Sequence, residues 1–489
     1  MITWGISANS HDAALAVFVD EKLAFASHSE RFSGKKNDPD LCDSLITYAI
    51  DNWGSPQEVV WYEKPWAKTL RQFMAGQGLN HRSNNIKNYL ERYNIKVPIK
   101  TVWHHRSHAA AGYYTSRFTD ACVVVIDAIG EFETLTFWHG RNDRINQVYS
   151  QGYPDSLGLW YSAMTQRCHL KPNEEEYILM GMAAYGDSTR LYDRILNDFF
   201  EHDGETLVSF KNNLHRGCLD WAPDLTVNDI FDIAAATQAV YEYQFDRILQ
   251  SARNFIASDN LVLMGGCALN CLANPIAYRY FKNVWIMPNP GDAGSSIGAV
   301  LAHRQWRLDW TTANLGYDIT PTHSADEIAD YLLTNQICGV AQGRAEFGPR
   351  ALGNRSLLAD PRGPTIKDRV NAIKRRQQFR PFAPVILEEL ANDYFDLCGN
   401  SSDHRYMQFI SKCKHPDLFP AIIHRDGTSR VQTVPKDGSR IRQLLETWYD
   451  RTGCPLLLNT SLNIKGQPMV NDIKHAQAFE KFYNTRVFT

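Results

Sequence analysis

The sequence predicts an α/β protein of two domains, the first of them built from two similar halves. Three observations predict it. A polar-tipped hairpin of short apolar strands opens the chain and recurs around residues 122–139. Strand-like runs alternate with helix-like runs, the pattern of sheets flanked by helices. The chain has 489 residues, more than one ordinary core, so two domains or three are expected.

The elements follow in order. Ile2 to Ser7 is one strand, and Ala14 to Val19 and Leu23 to His28 are two more. Asn9-Ser10-His11-Asp12 and Asp20-Glu21-Lys22 are the turns between them. Cys122 to Asp127 is a buried strand, followed by the turn Ala128 to Glu131 and a strand near Thr134 to His139. From Ser156 to Ala257 the pattern is helical, and Phe231 to Ile256 has apolar residues three and four apart. Leu261 to Asn270 reads as strand, Gly265-Gly266, then helix, a geometry that offers backbone N–H groups to an anion. The stretch Asp309 to Thr322 reads as a linker, so the domains are expected at 1–320 and 321–489, with the boundary uncertain by about fifteen residues.

Composition is that of a globular chain: 44% hydrophobic, 21% charged and a net charge of −3. That balance gives no reason to expect a nucleic-acid or membrane partner. The ten cysteines form no CxxC pair, which fits reduced thiols in a cytoplasmic protein. Met1-Ile2-Thr3-Trp4-Gly5 lacks the features of a signal peptide. A homodimer is the base-rate expectation for oligomeric state.

His104 and His108 stand at i and i+4, on one helix face about 6 Å apart. That spacing suits two ligands of one divalent metal, or two buried histidines. Asp127 ends a strongly apolar strand, and a carboxylate there needs a partner. Asp292 lies in Pro290-Gly-Asp-Ala-Gly294 and is either a helix N-cap or a further ligand. Two imidazoles with two carboxylates would suit iron(II), manganese or zinc. His11-Asp12 sits on the first turn, where a small loop could approach phosphates or an acceptor.

Beyond the linker, residues 343–356 carry three arginines (Arg344, Arg350, Arg355), three glycines and Glu346 within fourteen positions. Arginines bind phosphate or carboxylate bidentately, and glycines let backbone approach a ligand. Lys374, Arg375, Arg376 and Arg380 follow, a second basic run that a solvated helix would also explain. Arg430 lies in another polar run. Asn459, Ser461 and Asn463 alternate, so one side of a strand would carry all three.

These motifs resemble the O-carbamoyltransferases of antibiotic and nodulation-factor biosynthesis. The resemblance runs over nearly the whole chain. It rests on His11-Asp12, Ser29-Glu30-Arg31-Phe32, the HHxxHA run at 104–109, Asp127-Ala-Ile-Gly-Glu131, Ser156-Leu-Gly158, Met180-Gly181, Gly265-Gly-Cys-Ala-Leu-Asn270, GRAEFGPRALGNRS and NTSLN. It implies a duplicated actin-like (ASKHA, Kae1-like) first domain and a YrdC-like α/β second domain. It implies that the second domain makes carbamoyl-adenylate from carbamoyl phosphate and Mg-ATP, and that the first passes the carbamoyl group to a hydroxyl of a small-molecule acceptor. By the same resemblance His104, His108, Asp127 and Asp292 bind the metal, iron(II) in the best-known relatives, and His11 assists transfer with a pKa near neutral. Arg350, Lys374, Arg380, Arg430 and Ser461 line the carbamoyl phosphate and ATP cleft, with Arg344 and Asn459 beside them. Asp12, Gly265, Gly266 and Asn270 face the nucleotide of the first domain. Ile178, Ala184 and Asn37 depart from the residues usual in such relatives, which leaves the acceptor open. Two other expectations compete: a threonylcarbamoyl-adenylate transferase acting on tRNA, and a non-enzymatic actin-like ATP sensor.

Overall fold

The computed structural model describes residues 1–201 and 206–489. The chain divides into two units, Met1–Ser29 with Asn37–Thr311 and Glu30–Lys36 with Thr312–Thr489.

The first unit holds two five-stranded sheets. One contains β1 (Ile2–Ser7), β2 (Ala14–Val19), β3 (Lys22–His28), β4 (Glu58–Trp61) and β5 (Ile99–Thr101) in the order β3-β2-β1-β4-β5. The other contains β6 (Asp120–Ile126), β7 (Glu133–Arg141), β8 (Arg144–Gly152), β9 (Asn260–Met264) and β10 (Asn283–Trp285) in the order β10-β9-β6-β7-β8. Read from its third strand, the second order repeats the first. In both, the first three strands pair antiparallel and the last two add parallel. This is the duplicated actin-like arrangement expected for the first domain. β8 escaped the sequence reading because its outer residues are mostly polar and only Ile145 and Gln151 are buried.

Each half ends in a helix, His104–Thr115 in the first and Ser295–Arg304 in the second. Apart from Arg106 the histidine helix is buried all round, as its run of Ala109, Ala110, Ala111 and Gly112 allows. The two helices pack in close contact. A Cβ added at Gly298 would stand 1.9 Å from the Ser107 carbonyl oxygen, so only glycine fits there. Gly112 plays the same part against β9, where a Cβ would come within 2.5 Å of Met264 and Val262.

Two expectations change here. Gly265-Gly266 leads into a 3-10 turn, Gly266–Leu269, and not into an α-helix. Four residues of 3-10 turn carry little aligned dipole. The stretch read as a linker contains β11 (Asn314–Ile319), which pairs antiparallel with β13 (Gly343–Glu346) inside the second unit.

The rest of the second unit is a six-stranded mixed sheet of β12 (Ile337–Ala341), β14 (Arg355–Ala359), β15 (Ala383–Leu387), β19 (Gln432–Val434), β20 (Leu456–Ser461) and β21 (Val487–Phe488). Its order is β19-β15-β20-β14-β12-β21, and β16 (Phe395–Asp396), β17 (Ser411–Cys413) and β18 (Thr428–Ser429) form a small separate sheet. Trp448, Leu457, Leu358 and Val385 are among its fully buried core residues. Among the described residues no helix is long and apolar enough to cross a membrane.

Candidate functional site

Four side chains converge in the first unit. His104 and His108 point from one face of the histidine helix, with their Nε2 atoms 3.0 Å apart. Asp127, one residue past β6, places Oδ2 3.2 Å from His104 Nε2 and 3.9 Å from His108 Nε2. Asp292 places Oδ1 3.4 Å from each imidazole. All four ligand atoms lie within 4.8 Å of one another. Two imidazole nitrogens this close cannot both donate, so the arrangement needs a cation or a shared proton between them and the carboxylates. Asp292 makes no side-chain capping bond, so the N-cap alternative falls away.

The electrostatics follow from that convergence. Burial alone would lower His104, but the carboxylates of Asp292 and Asp127 outweigh it and hold the imidazole well above its ordinary value. Burial would likewise raise Asp127 and Asp292, and the histidines reverse both, taking Asp127 to about 2 and Asp292 well below the usual range.

Positioning comes from residues in roles the sequence did not assign to them. No side chain of Trp103 caps the histidine helix. The buried Glu131 does so instead, accepting the His104 backbone N–H at 3.1 and 3.2 Å and the Lys64 N–H at 2.6 Å. Asp127 Oδ1 accepts the Gly266 N–H at 2.8 Å, so that N–H is taken up by the chain's own carboxylate. Asn270 is also internally satisfied: its amide exchanges hydrogen bonds with Gln238 at 3.0 and 3.1 Å, and its oxygen accepts from the Ala273 N–H.

His11 lies in the β1–β2 turn with Nδ1 3.3 Å from Asp12 Oδ2. Burial lowers its pKa, but Asp12 and then Asp292 raise it to about 9, away from the near-neutral value expected. At pH 7 it is an imidazolium.

In the second unit Lys374 is buried at the end of the Ile366–Lys374 helix. Its ammonium donates to the Ser461 carbonyl, to Ser461 Oγ at 3.2 Å, and to the Asn463 carbonyl and side-chain oxygens at 3.0 and 2.9 Å. These acceptors are all neutral. Burial, reinforced by Arg376 and Arg380, pushes Lys374 well below its ordinary value. Asn463 lies past the end of β20, yet the turn brings its amide back to the same ammonium as Ser461.

The 343–356 motif divides into anchors and a loop. Arg355 is fully buried, and its guanidinium donates to the carbonyls of Asn471, Gln342, Gly343, Asn354 and Tyr317. Arg344 donates to the carbonyls of Leu315 and Gly316 on β11. Both arginines therefore hold backbone. Glu346 Oε1 accepts the N–H groups of Leu352, Asn354 and Arg355. Asn459 Nδ2 donates to the Ala351 carbonyl at 3.1 Å, Gln432 to that of Leu352 at 2.8 Å, and Arg31 to that of Gly348 at 2.9 Å. The loop so fixed carries the half-exposed Arg350. Arg430 is half-exposed, with a buried Nε that has no protein acceptor among the described residues.

Comparison with known proteins matches two regions of the chain. Residues 3–301 match the family model for the carbamoyltransferase N-terminus, and residues 329–488 match that for the carbamoyltransferase C-terminus. The chain belongs to the carbamoyltransferase family. It is similar to nodulation protein U of Rhizobium fredii, 37% identical over 94% of this chain and 89% of that protein. An uncharacterized protein of Synechocystis is 32% identical over 95% of this chain and 92% of its own length. Among solved structures, the activator of the 2-hydroxyisocaproyl-CoA dehydratase from Clostridium difficile covers 62% of this chain and 96% of its own at a TM-score of 0.33 and 12% identity, which adds nothing to the strand order. This carbamoyltransferase is thus an enzyme whose two matched regions each hold a cluster of charged side chains.

Proposed function

We propose that this carbamoyltransferase forms carbamoyl-adenylate from carbamoyl phosphate and Mg-ATP with residues of its second unit, and carbamoylates a hydroxyl of a small-molecule acceptor with those of its first. The observation that carries the reading is Lys374, a buried ammonium held by neutral oxygens beside Arg376 and Arg380. Fixed cations without a carboxylate among the hydrogen-bond acceptors of Lys374 suit the many anionic oxygens of ATP and carbamoyl phosphate.

The bonds balance as follows. One water releases phosphate from carbamoyl phosphate. A carbamate oxygen then bonds the α-phosphorus of ATP and pyrophosphate leaves. The acceptor oxygen attacks the carbamoyl carbon, AMP leaves, and the hydroxyl proton is removed. His104, His108, Asp127 and Asp292 would hold a divalent cation, iron(II) or another, whose nitrogen and oxygen donors suit it and which would supply Lewis acidity when bound.

Protein with Mg-ATP and no acceptor should release pyrophosphate only when carbamoyl phosphate is added. Release driven instead by threonine and bicarbonate, or none in folded protein loaded with iron(II), would overturn the reading.

His11 would take the acceptor proton at Nε2, which has no partner among the described residues, while Asp12 holds Nδ1. Because the pKa is raised to about 9, the neutral base grows in only as pH rises through that value. In the Asp12→Asn variant the titration should move down toward the ordinary value of about 6.5. Carbon-13 NMR of labelled histidine checks this. Titration of His11 near 6.5 in the unaltered protein would remove Asp12 as its partner.

A further inference from the structure

The helix Pro65–Met74 of the first unit is inside out. It buries Ala67, Lys68 and Arg71 and exposes Trp66, Leu70, Phe73 and Met74. Helices ordinarily bury the apolar face. Lys68 accounts for its own burial: its ammonium lies 2.8 Å from Glu63 and 2.9 Å from the Asn9 carbonyl, two residues before His11. Arg71, roughly 5 Å further along the same face, has no such account.

Arg71 is 8% exposed. Its Nη1 donates to Gln77 Oε1 at 3.3 Å, and its Nε is buried with no acceptor among the described residues. Glu63 is the acid with most influence on it, yet Glu63 already pairs with Lys68. The next contacts extend the pattern. Arginine can only donate, so the Gln77 atom facing it is the carbonyl oxygen, and the Gln77 nitrogen donates to His215 Nε2 at 2.9 Å. The accepting Nε2 leaves the His215 proton on Nδ1. That Nδ1 is also buried without an acceptor. Arg216 follows, its guanidinium 3.9 Å from where a Cβ of Gly76 would stand, just past the helix end. Two N–H donors with no acceptor and a second guanidinium therefore gather about the Arg71 end of the helix, one turn from the lysine that touches the His11 loop.

We propose that Arg71, His215 and Arg216 bind an oxyanion carried by the acceptor, so that the substrate class is a hydroxylated molecule bearing a phosphate or carboxylate. The inference rests on the reading of the first unit as the acceptor side. A bidentate oxyanion gives Arg71 Nε the acceptor it lacks and balances the charge that Glu63 does not.

The test is calorimetric titration of the full chain with glucose 6-phosphate, glucuronate and glucose as probes. An anionic sugar should bind and glucose should not; binding of glucose 6-phosphate alone points to a phosphate, of glucuronate alone to a carboxylate. Arg71→Gln should weaken binding about 10- to 100-fold, the loss of a charge-assisted pair, and Arg71→Lys should keep most of it. His215→Phe, on a different segment, should weaken it too and covers the case in which Arg71→Gln fails to fold. Arg380→Ala, in the second unit, should leave binding unchanged. Equal binding by Arg71→Gln, loss in Arg380→Ala, equal binding of glucose, or no binding of either anionic sugar would each overturn the proposal. Binding is read without turnover. Failure of carbamoyl-phosphate-dependent pyrophosphate release would therefore sink the adenylate reading and leave this one standing.

Discussion

A His108→Ala variant should lose the divalent metal proposed for the His104, His108, Asp127 and Asp292 cluster, while carbamoyl-phosphate-dependent pyrophosphate release should survive. His108 is fully buried and contributes one of four converging side-chain atoms. Changing a residue that only hydrogen-bonds a ligand costs metal sites about 10- to 100-fold in affinity, so removing a ligand should cost at least about 100-fold. Elemental analysis of dialysed protein measures the loss. Thermal stability gives a second readout. A metal that binds the folded chain alone stabilises it by about 2.7 kcal/mol at a hundredfold excess over its dissociation constant. Added iron(II) should therefore raise the melting temperature of the unaltered protein and leave that of the variant in place. Full metal content in the variant would remove His108 from the ligand set. Loss of pyrophosphate release together with the metal would mean that the two clusters do not divide the chemistry.

An Arg380→Ala variant should lose carbamoyl-phosphate-dependent pyrophosphate release by about 100-fold or more, near 3 kcal/mol of transition-state stabilisation. Lys374 donates to Ser461 and Asn463, and Arg376 to Asn371 and the Pro381 carbonyl, so both are fixed in place. Arg380 completes the cationic group and is among the causes that lower Lys374. Initial rates of pyrophosphate release at saturating ATP measure the effect, and intact metal content shows that the first unit is unharmed. A variant with normal release would move the phosphate contacts elsewhere, with Arg350 and Arg430 the next to replace.

Local pattern made much of this legible. Hairpin periodicity located β1, β2 and β3 within a residue, and the apolar run before Asp127 located β6. The i, i+4 spacing of His104 and His108 put both on one helix face, where they are found. What pattern could not show was the partner across the fold. Asp292 looked equally well like an N-cap, because the choice depends on a helix nearly two hundred residues earlier in the sequence. Glu131 looked like a turn residue, and its role as the cap of the histidine helix is likewise non-local. The arginines of 343–356 looked alike in sequence. Burial separates Arg355, which binds five carbonyls, from Arg350, which stays half-exposed on the loop. The strand before Gly265 was legible, but the 3-10 turn that follows it in place of a full helix was not.

The short excursion Glu30–Lys36 has a practical result for anyone dissecting this enzyme. These seven residues belong to the second unit, though unit-one sequence flanks them on both sides. Their Arg31 holds the Gly348 carbonyl in the loop that carries Arg350. A gene fragment starting at Thr312 would therefore encode a second unit missing one of its own loop supports. A fragment ending at Thr311 would carry that support with nothing to grip. Reconstitution from two halves cut at that point would have to restore the Arg31 contact by association, whereas splicing a copy of residues 30–36 onto the later fragment supplies it within one chain.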